Sequence, residues 1–437
     1  MSLKNTGPLS SSEPGCDDSF AILTIMRKPF CYYFILMFAM TSCGSSEKGE
    51  RIPAISQFDD DVTFLKKYSD VIELRAPDGD ARIAVMPGLQ ARVMTSTAGG
   101  PGDLSYGWIN RKLFISGDTS VHMNAFGGEE RLWLGPEGGQ FSIFFPKDSA
   151  FTFENWRTPR LIDLDAYDVV AQTAHSATFS KSAMLTNYSG TVFNLRLNRE
   201  IKVLGRDETF QLLNVDADSA LLSVAYQTIN KLDNAGSAAW SKDTGLLSIW
   251  LLGMFNPSPQ VTMVLPYVEG PVTTLGPIVN DEYFGKVPAD RLKVSEGKLF
   301  FRGDGKYRSK IGLPPGRAKD VVGSYDAVSK TLTIVQYTKG EPEDVYVNSK
   351  WEIQRYPYSG DVVNAYNDGP PTPGAEPMGP FYELESSSPA RELNPGESIV
   401  HRQTTFHFQG EEKALDSLSA RVLGATLAEI KAAFGGT

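Results

Sequence analysis

The chain has 437 residues, with 52 acidic against 42 basic side chains, 41% hydrophobic content and three cysteines. Such a chain can bury a large core, as one big β domain or two ordinary domains, and its composition excludes wholesale disorder. The net charge of −10 argues against a nucleic-acid binder, which needs a basic footprint, and three cysteines cannot staple a chain of this length into a disulfide scaffold.

Cys16, Cys31 and Cys43 all lie in the first tenth of the chain. Met26, Arg27 and Lys28 make a short basic start, and Met26 is a candidate initiator. Residues 30–40 are apolar, small residues precede Cys43, and polar residues 44–50 follow. Basic, apolar and small-residue segments in that order read as a secretory signal. The apolar run is shorter than the roughly 20 residues needed to span a bilayer. A cysteine placed directly after it resembles the lipobox of bacterial lipoproteins, with Met40 at the usual leucine position. That resemblance implies a leader and lipoprotein signal over 1–43, lipidation of Cys43, a tether over 44–57, and a domain over 58–437. An ordinary cysteine behind an ordinary signal, or an apolar run retained as an anchor, are the alternatives. Cleavage before Cys43 leaves no other thiol, which suits an oxidising envelope compartment and removes thiol nucleophiles and cysteine-ligated metals. Residues 1–42 carry three basic and three acidic side chains, so the acidic excess belongs to the part after the leader.

Asp59, Asp60 and Asp61 before Val62, Phe64 and Leu65 predict a capped short helix, with acids at its positive end. Strand patterns then dominate, at 72–75, 81–86, 91–95, 112–115, 131–134, 141–145, 169–174 and 177–186. Residues 192–201 alternate polar and apolar, as a half-buried strand does. Further strands are predicted at 221–230, 246–252, 261–267, 331–337, 346–354, 381–386 and 399–408. Residues 299–302 and 306–311 around Gly303-Asp304-Gly305 predict a hairpin. About twenty short strands with almost no amphipathic helix between them predict one all-β domain, an antiparallel sandwich or barrel. Helical spacing of Leu415, Leu418, Val422 and Leu423, with a capping box from Thr426 to Glu429, predicts a short helical C-terminus.

No nucleophile elbow, P-loop, His-Glu-x-x-His or Cys-x-x-Cys occurs, and neither a metal nor a cofactor is expected. Four histidines (His122, His175, His401, His407) limit histidine-based metal sites. The densest candidate segment is 122–145, where two Gly-Gly pairs flank a strand bearing Arg131 and Trp133 on one face. A planar cation beside a flat ring suits sugar rings and carboxylates, and Glu130, Glu137 and Gln140 add acceptors. A tight meander with a core tryptophan and a surface Arg131 is the bland alternative. In the second segment, Glu383 and Glu385 share one strand face, where paired carboxylates raise one pKa for acid–base work. A solvated strand face is the alternative there. His401 and His407 read as structural or solvent-facing.

Residues 381–386, a following proline, Leu393-Asn-Pro395-Gly396-Glu397 and a closing alternating strand resemble the C-terminal end of galactose mutarotases (aldose 1-epimerases). Residues 86–92 are similar to a strand and turn near that family's start. The resemblance implies a large antiparallel β-supersandwich, with Glu385 in the place of the catalytic base. Residues 105–110, 133–140 and 382–389 also resemble Bacteroidetes lipoproteins with a mutarotase-like domain. One departure stands out. Where mutarotases carry an acid histidine, residues 229–234 keep Asn230 and have no histidine. Ring opening needs a proton donor as well as a base. His122, Lys310 or Tyr283 would have to supply it, unless the protein does not epimerise sugars.

The expectation is an envelope lipoprotein that binds or acts on carbohydrate as an epimerase, isomerase or lyase. Glu385 and His122 are the catalytic candidates. Arg131, Trp133, Glu137, Asn230, Lys310, Asp368 and Glu383 are the expected lining. A non-catalytic glycan binder, or a structural lipoprotein of an outer-membrane complex, is the alternative.

Overall fold

The computed structural model describes residues 56–99 and 103–435, which belong to one compact unit. The leader, Cys43 and most of the tether lie outside the described residues. Helix α1 (Phe58–Leu65) has its three aspartates in the first turn, as the sequence predicts. None of them caps it, because Gln57 takes the N-cap position without a side-chain bond. Asp59 and Asp61 instead pair with Arg82 and Arg111.

Strands β1 (Ile72–Arg75), β2 (Arg82–Met86) and β3 (Arg92–Thr97) form a small antiparallel sheet. Residues 112–115 are not a strand but part of helix α2 (Arg111–Ser116). The Asn110 side chain accepts from the Leu113 amide, and Gly117 ends the helix at a φ of 66°. These local caps override the apolar residues between them.

The rest of the chain in order is β4 (Arg131–Gly135), β5 (Asp168–Gln172), β6 (Ser176–Thr186), β7 (Val192–Val203), α3 (Arg206–Leu212), β8 (Leu221–Asn234), β9 (Ser248–Phe255), β10 (Val261–Pro266), α4 (Val272–Leu275), β11 (Leu292–Ser295), β12 (Lys298–Arg302), β13 (Ser309–Leu313), β14 (Val321–Asp326), β15 (Thr331–Tyr337), β16 (Val363–Asn367), β17 (Tyr382–Ser387), β18 (Ser398–Gly410), α5 (Glu412–Val422) and α6 (Leu427–Ala432). A ten-stranded sheet runs β11-β12-β10-β14-β15-β18-β8-β7-β6-β5, and a five-stranded sheet runs β13-β16-β17-β9-β4. Every pairing is antiparallel. The two large sheets pack face to face through two apolar clusters. Met263, Phe301 and Val335 of the larger sheet meet Ile311, Ala365 and Leu384 of the smaller. The protein is therefore an all-β sandwich of the large antiparallel kind expected.

Two predicted strands and the predicted hairpin are placed differently. Residues 141–145 and 346–354 form no strand; they are loops laid over the smaller sheet. The predicted hairpin at 303–305 is a crossover. Strand β12 pairs with β10 and β11, while β13 pairs with β16 in the other sheet. Leu299, Phe301, Ile311 and Leu313 all drain into the core between the sheets, so pairing across the layers buries more apolar surface than a hairpin would. Asn367 Oδ1 accepts from the Gly305 amide at 2.8 Å and fixes the turn.

Outer strands β6 and β7 alternate in burial along their length, because one face is solvated. Strands β4, β9 and β16 are buried at every position, because loops cover the far face of the smaller sheet. The C-terminus is helical as expected, in two short helices. Leu415, Leu418, Leu427 and Ile430 pack on Phe406 and Phe408, and the Thr426–Glu429 capping box is present. No helix among the described residues is long and apolar enough to cross a membrane.

Candidate functional site

The covered outer face of the five-stranded sheet gathers the chemistry. Strand register aligns Arg131 with Leu252, Leu252 with Glu385, Glu385 with Asn364 and Asn364 with Gly312. The next row holds Met254, Glu383, Tyr366 and Lys310. Trp133 faces Trp250 in the row on the other side. Because strand side chains alternate with period two, all of these residues point away from the sandwich core.

Glu385 is the centre. Lys310 Nζ donates to its two oxygens at 3.0 and 2.8 Å, and Trp250 Nε1 donates to Oε2 at 2.9 Å. The Lys310 ammonium lies 4.7 Å from the Trp250 ring centroid and 5.6 Å from that of Tyr283. Glu385 is wholly buried, and the Lys310 side chain is 11% exposed. Next to this pair, Arg131 forms an ion pair with Glu383, and its guanidinium sits 5.2 Å over the Trp133 ring. Trp133 meets Trp250 edge-on at 5.6 Å. Tyr283 donates to Asp361, and Asn364 Nδ2 donates to the Tyr283 hydroxyl at 3.0 Å. Gly312 must lack a side chain here, since a Cβ would stand 2.2 Å from Asp361 Oδ2.

Glu137 lies on the loop after β4. Its amide donates to Ser349 Oγ at 3.1 Å, and Trp351 donates to its carboxyl. That loop is clamped to the 348–354 loop, because a Cβ on Gly138 would stand 2.3 Å from the Lys350 carbonyl oxygen. Gly138 thus serves the close approach of one loop to another rather than of a ligand. The Glu137 side chain is half-buried and feels both Lys310 and Glu385.

The electrostatics separate the carboxyls. Burial pushes the Glu137 carboxyl up to about 7, reinforced by the Glu385 charge and opposed by Lys310. Burial also pushes Glu383 up to about 7, against the pull of Arg131 and with the push of Glu385. Burial raises Asp361 as well, although Tyr283 and Asn280 donate to it. A carboxyl held neutral close to an ion-paired one is the arrangement that proton transfer requires. Among the described residues no cluster of three His, Cys, Asp or Glu side chains is placed to hold a metal ion.

Most of the predicted site residues share this face: Glu385, Glu383, Lys310, Arg131, Trp133 and Glu137. Three do not serve as expected. Asn230 lies on the opposite side of the smaller sheet, buried between the layers, where its Oδ1 accepts from Arg199 at 2.6 Å. Arg199 also pairs with Glu130 at 2.9 Å, so the whole group is a satisfied interior network. His122 is held by the Trp156 carbonyl oxygen, 2.7 Å from Nδ1, and stacks on Phe153; its partners are the covering loop and not Glu385. Asp368 accepts from Tyr366 at 2.7 Å and from the Gly379 amide at 2.9 Å, which makes it a loop clamp beside Glu383. His401 and His407 are fully buried between the sheets, bound to Ser386 and to Glu129 and Thr333, as structural residues are. The alternatives of a solvated Glu383–Glu385 face and a surface Arg131 are contradicted by their burial.

Trp250, Asp361 and Asn364 were not singled out from the sequence. Trp250 had a signal, as an indole among aliphatic strand residues. Two surface clefts of about 190 and 340 Å³ lie elsewhere, one beside Arg302 and Phe434, the other beside Arg402 and Gln227. Neither holds a predicted site residue.

A family profile matches residues 56–434, nearly all of the described chain. The chain belongs to the family of unknown function DUF6786. No curated protein matches this DUF6786 chain in sequence. Among solved structures, it is similar to the Slr1438 protein from Synechocystis sp. PCC 6803, at 12% identity and a TM-score of 0.48, over 78% of this chain and 96% of that one. It is also similar to a galactose mutarotase-like protein from Lactobacillus casei ATCC 334, at 10% identity and a TM-score of 0.42, over 77% and 100% of the two chains. A galactose mutarotase related enzyme from Lactobacillus acidophilus is similar at 9% identity and a TM-score of 0.39, over 78% and 97%.

Proposed function

We propose that the protein binds carbohydrate over the outer face of the five-stranded sheet, and that Glu385 acts there as a base in an epimerase-, isomerase- or lyase-type proton transfer. The observation that carries this reading is the Lys310–Glu385–Trp250 group. A buried carboxylate is held by an ammonium and an indole N–H, beside two carboxyls, Glu137 and Glu383, that burial pushes up to about 7. Trp250, Trp133 and Tyr283 around it supply the flat apolar faces on which sugar rings stack. The mutarotase-like sequence around Glu385 points the same way. The test is a glycan and monosaccharide panel with the purified protein and Glu385→Gln. Retained binding with lost turnover supports a base; no binding to any sugar contradicts the reading.

A second reading is a non-catalytic glycan binder. It is favoured by the saturation of Glu385, both of whose oxygens already accept hydrogen bonds. Sugar binding without turnover would select it.

We further propose that Cys43 carries a lipid that anchors the protein in a bacterial envelope, on the strength of the segment order over residues 26–50. Labelling with an alkyne fatty acid that survives in the wild type and is lost in Cys43→Ala is the expected result. Equal labelling of the two would overturn it.

A further inference from the structure

We propose that Glu129, Tyr226 and Thr405 bind one monovalent alkali cation, sodium or potassium, in the interior between the sheets. The site is separate from the Glu385 face and does not depend on the carbohydrate reading. Strand alternation turns Gln403, Thr405 and His407 of β18 to one side, with neighbours about 6.7 Å apart. Two consecutive acids grip the ends of that row. Glu130 Oε2 accepts from Gln403 Nε2 at 2.9 Å, and Glu129 Oε2 accepts from His407 Nε2 at 3.1 Å. Thr405 therefore stands between the two carboxylates. Tyr226 of β8 is its register partner, so the phenol and the threonine hydroxyl leave the same side of the larger sheet. The phenol lies in the fields of both acids.

Three oxygens meet there without a hydrogen-bond partner: Glu129 Oε1, Tyr226 Oη and Thr405 Oγ1. All three residues are wholly buried. The polar groups around them are satisfied. Glu130 Oε1 accepts from Arg199 at 2.9 Å, Ser96 Oγ donates to Glu129 Oε2 at 2.8 Å, and Thr333 Oγ1 lies 2.9 Å from His407 Nδ1. Protein interiors pair almost all of their buried polar atoms, so three orphans side by side mark a bound species.

Charge decides which species it is. Arg199 balances Glu130, whereas the partners of Glu129 are a serine hydroxyl and an imidazole. With the Thr333 hydroxyl donating to Nδ1, the His407 ring carries one proton, on Nε2, and brings no charge. A water molecule would satisfy the three oxygens and leave the carboxylate charge buried without a counter-charge, which is costly. A monovalent cation meets both needs, and an all-oxygen donor set is the one that hard cations take. A divalent ion would leave a positive charge unbalanced in the same place.

The experiment unfolds the purified protein in urea and refolds it in sodium, potassium or tetramethylammonium chloride at equal ionic strength, which equalises screening. It compares the wild type with Thr405→Val, Tyr226→Phe and Glu129→Gln. The expected result is a wild-type folding constant about tenfold or more larger in sodium or potassium than in tetramethylammonium, which is too bulky for the site. That ratio should shrink in each variant. Wild-type crystals grown in rubidium chloride should show an anomalous peak within contact of Glu129 Oε1, Tyr226 Oη and Thr405 Oγ1. Equal wild-type folding constants in the three salts would overturn the proposal. So would a salt ratio that persists undiminished in all three variants. A peak with the scattering of water and no anomalous signal would assign the place to a water molecule and overturn the cation. The crystallographic arm keeps the test open if a variant fails to fold.

Discussion

Lys310 and Glu385 are 75 residues apart and sit on strands that are not neighbours, yet Lys310 Nζ bonds both oxygens of the Glu385 carboxylate. Strand β16 lies between them and contributes Asn364 opposite Glu385 and Tyr366 opposite Lys310. The ion pair thus spans a strand and staples three of the five strands from the outer face. A buried pair of this kind is weak evidence for stability, because desolvation offsets most of the attraction. Breaking it is another matter.

Lys310→Met strands the Glu385 charge in a buried site. It should destabilise the fold by about 3–5 kcal/mol, and Lys310→Met combined with Glu385→Leu should cost much less than the sum of the single changes. Urea denaturation of the four proteins measures the coupling. Additive costs would mean that the two side chains act independently.

Stability should also depend on pH through Glu137. Its folded carboxyl is raised from the ordinary 4.5 to about 7. A group raised in this way contributes stability that is fully present below its unfolded pKa and is lost as pH rises through the folded value. The loss therefore falls between pH 4.5 and about 7. Its steepest slope is about 1.4 kcal/mol per pH unit. The slope of stability against pH over that window should be shallower in Glu137→Gln than in the wild type. Identical slopes, measured by denaturant titration at several pH values, would contradict it.

Asn230 provides the negative control for the site. Its Oδ1 accepts from Arg199 in the interior, so Asn230→Ala should cost about 1–3 kcal/mol by leaving a buried guanidinium donor unsatisfied. Ligand affinity should not move, because Asn230 and Glu385 lie on opposite sides of the smaller sheet. A selective loss of sugar binding at unchanged stability would place Asn230 back in the site.

At the far end, Thr426→Ala removes the capping box of α6 and should cost about 1 kcal/mol in thermal or chemical melts. The packing of Leu427 and Ile430 on the outer face of the larger sheet should survive, since it does not involve the cap.

What was legible in the sequence is local. The alternation over residues 192–201 became β7 with its even burial pattern, and the box from Thr426 to Glu429 became a real cap. The parity of Glu383 with Glu385, and of Arg131 with Trp133, placed each pair on one face, as found. These features depend on a few consecutive residues and on fixed periods of side-chain direction. Where the local signal was mixed, neighbours decided. Asn110 and Gly117 turned residues 112–115 into a helix, although their apolar residues read as a strand.

Which faces meet is a different kind of information. Residues 303–305 look like a hairpin turn in isolation, and only the demand of one shared core sends β12 and β13 to separate sheets. Asn230 and Glu385 both sit on strands with correct parity, but parity does not say on which side of a layer a face will lie. The sequence alone determined an acidic, strand-built domain with paired carboxylates and an aromatic-rich segment. The tertiary structure decided that Lys310, Trp250 and Glu137 converge on Glu385 while Asn230, His122 and Asp368 do other work. Strand order and sheet packing are set by the burial of distant apolar faces against each other, and no local window of residues contains that sum.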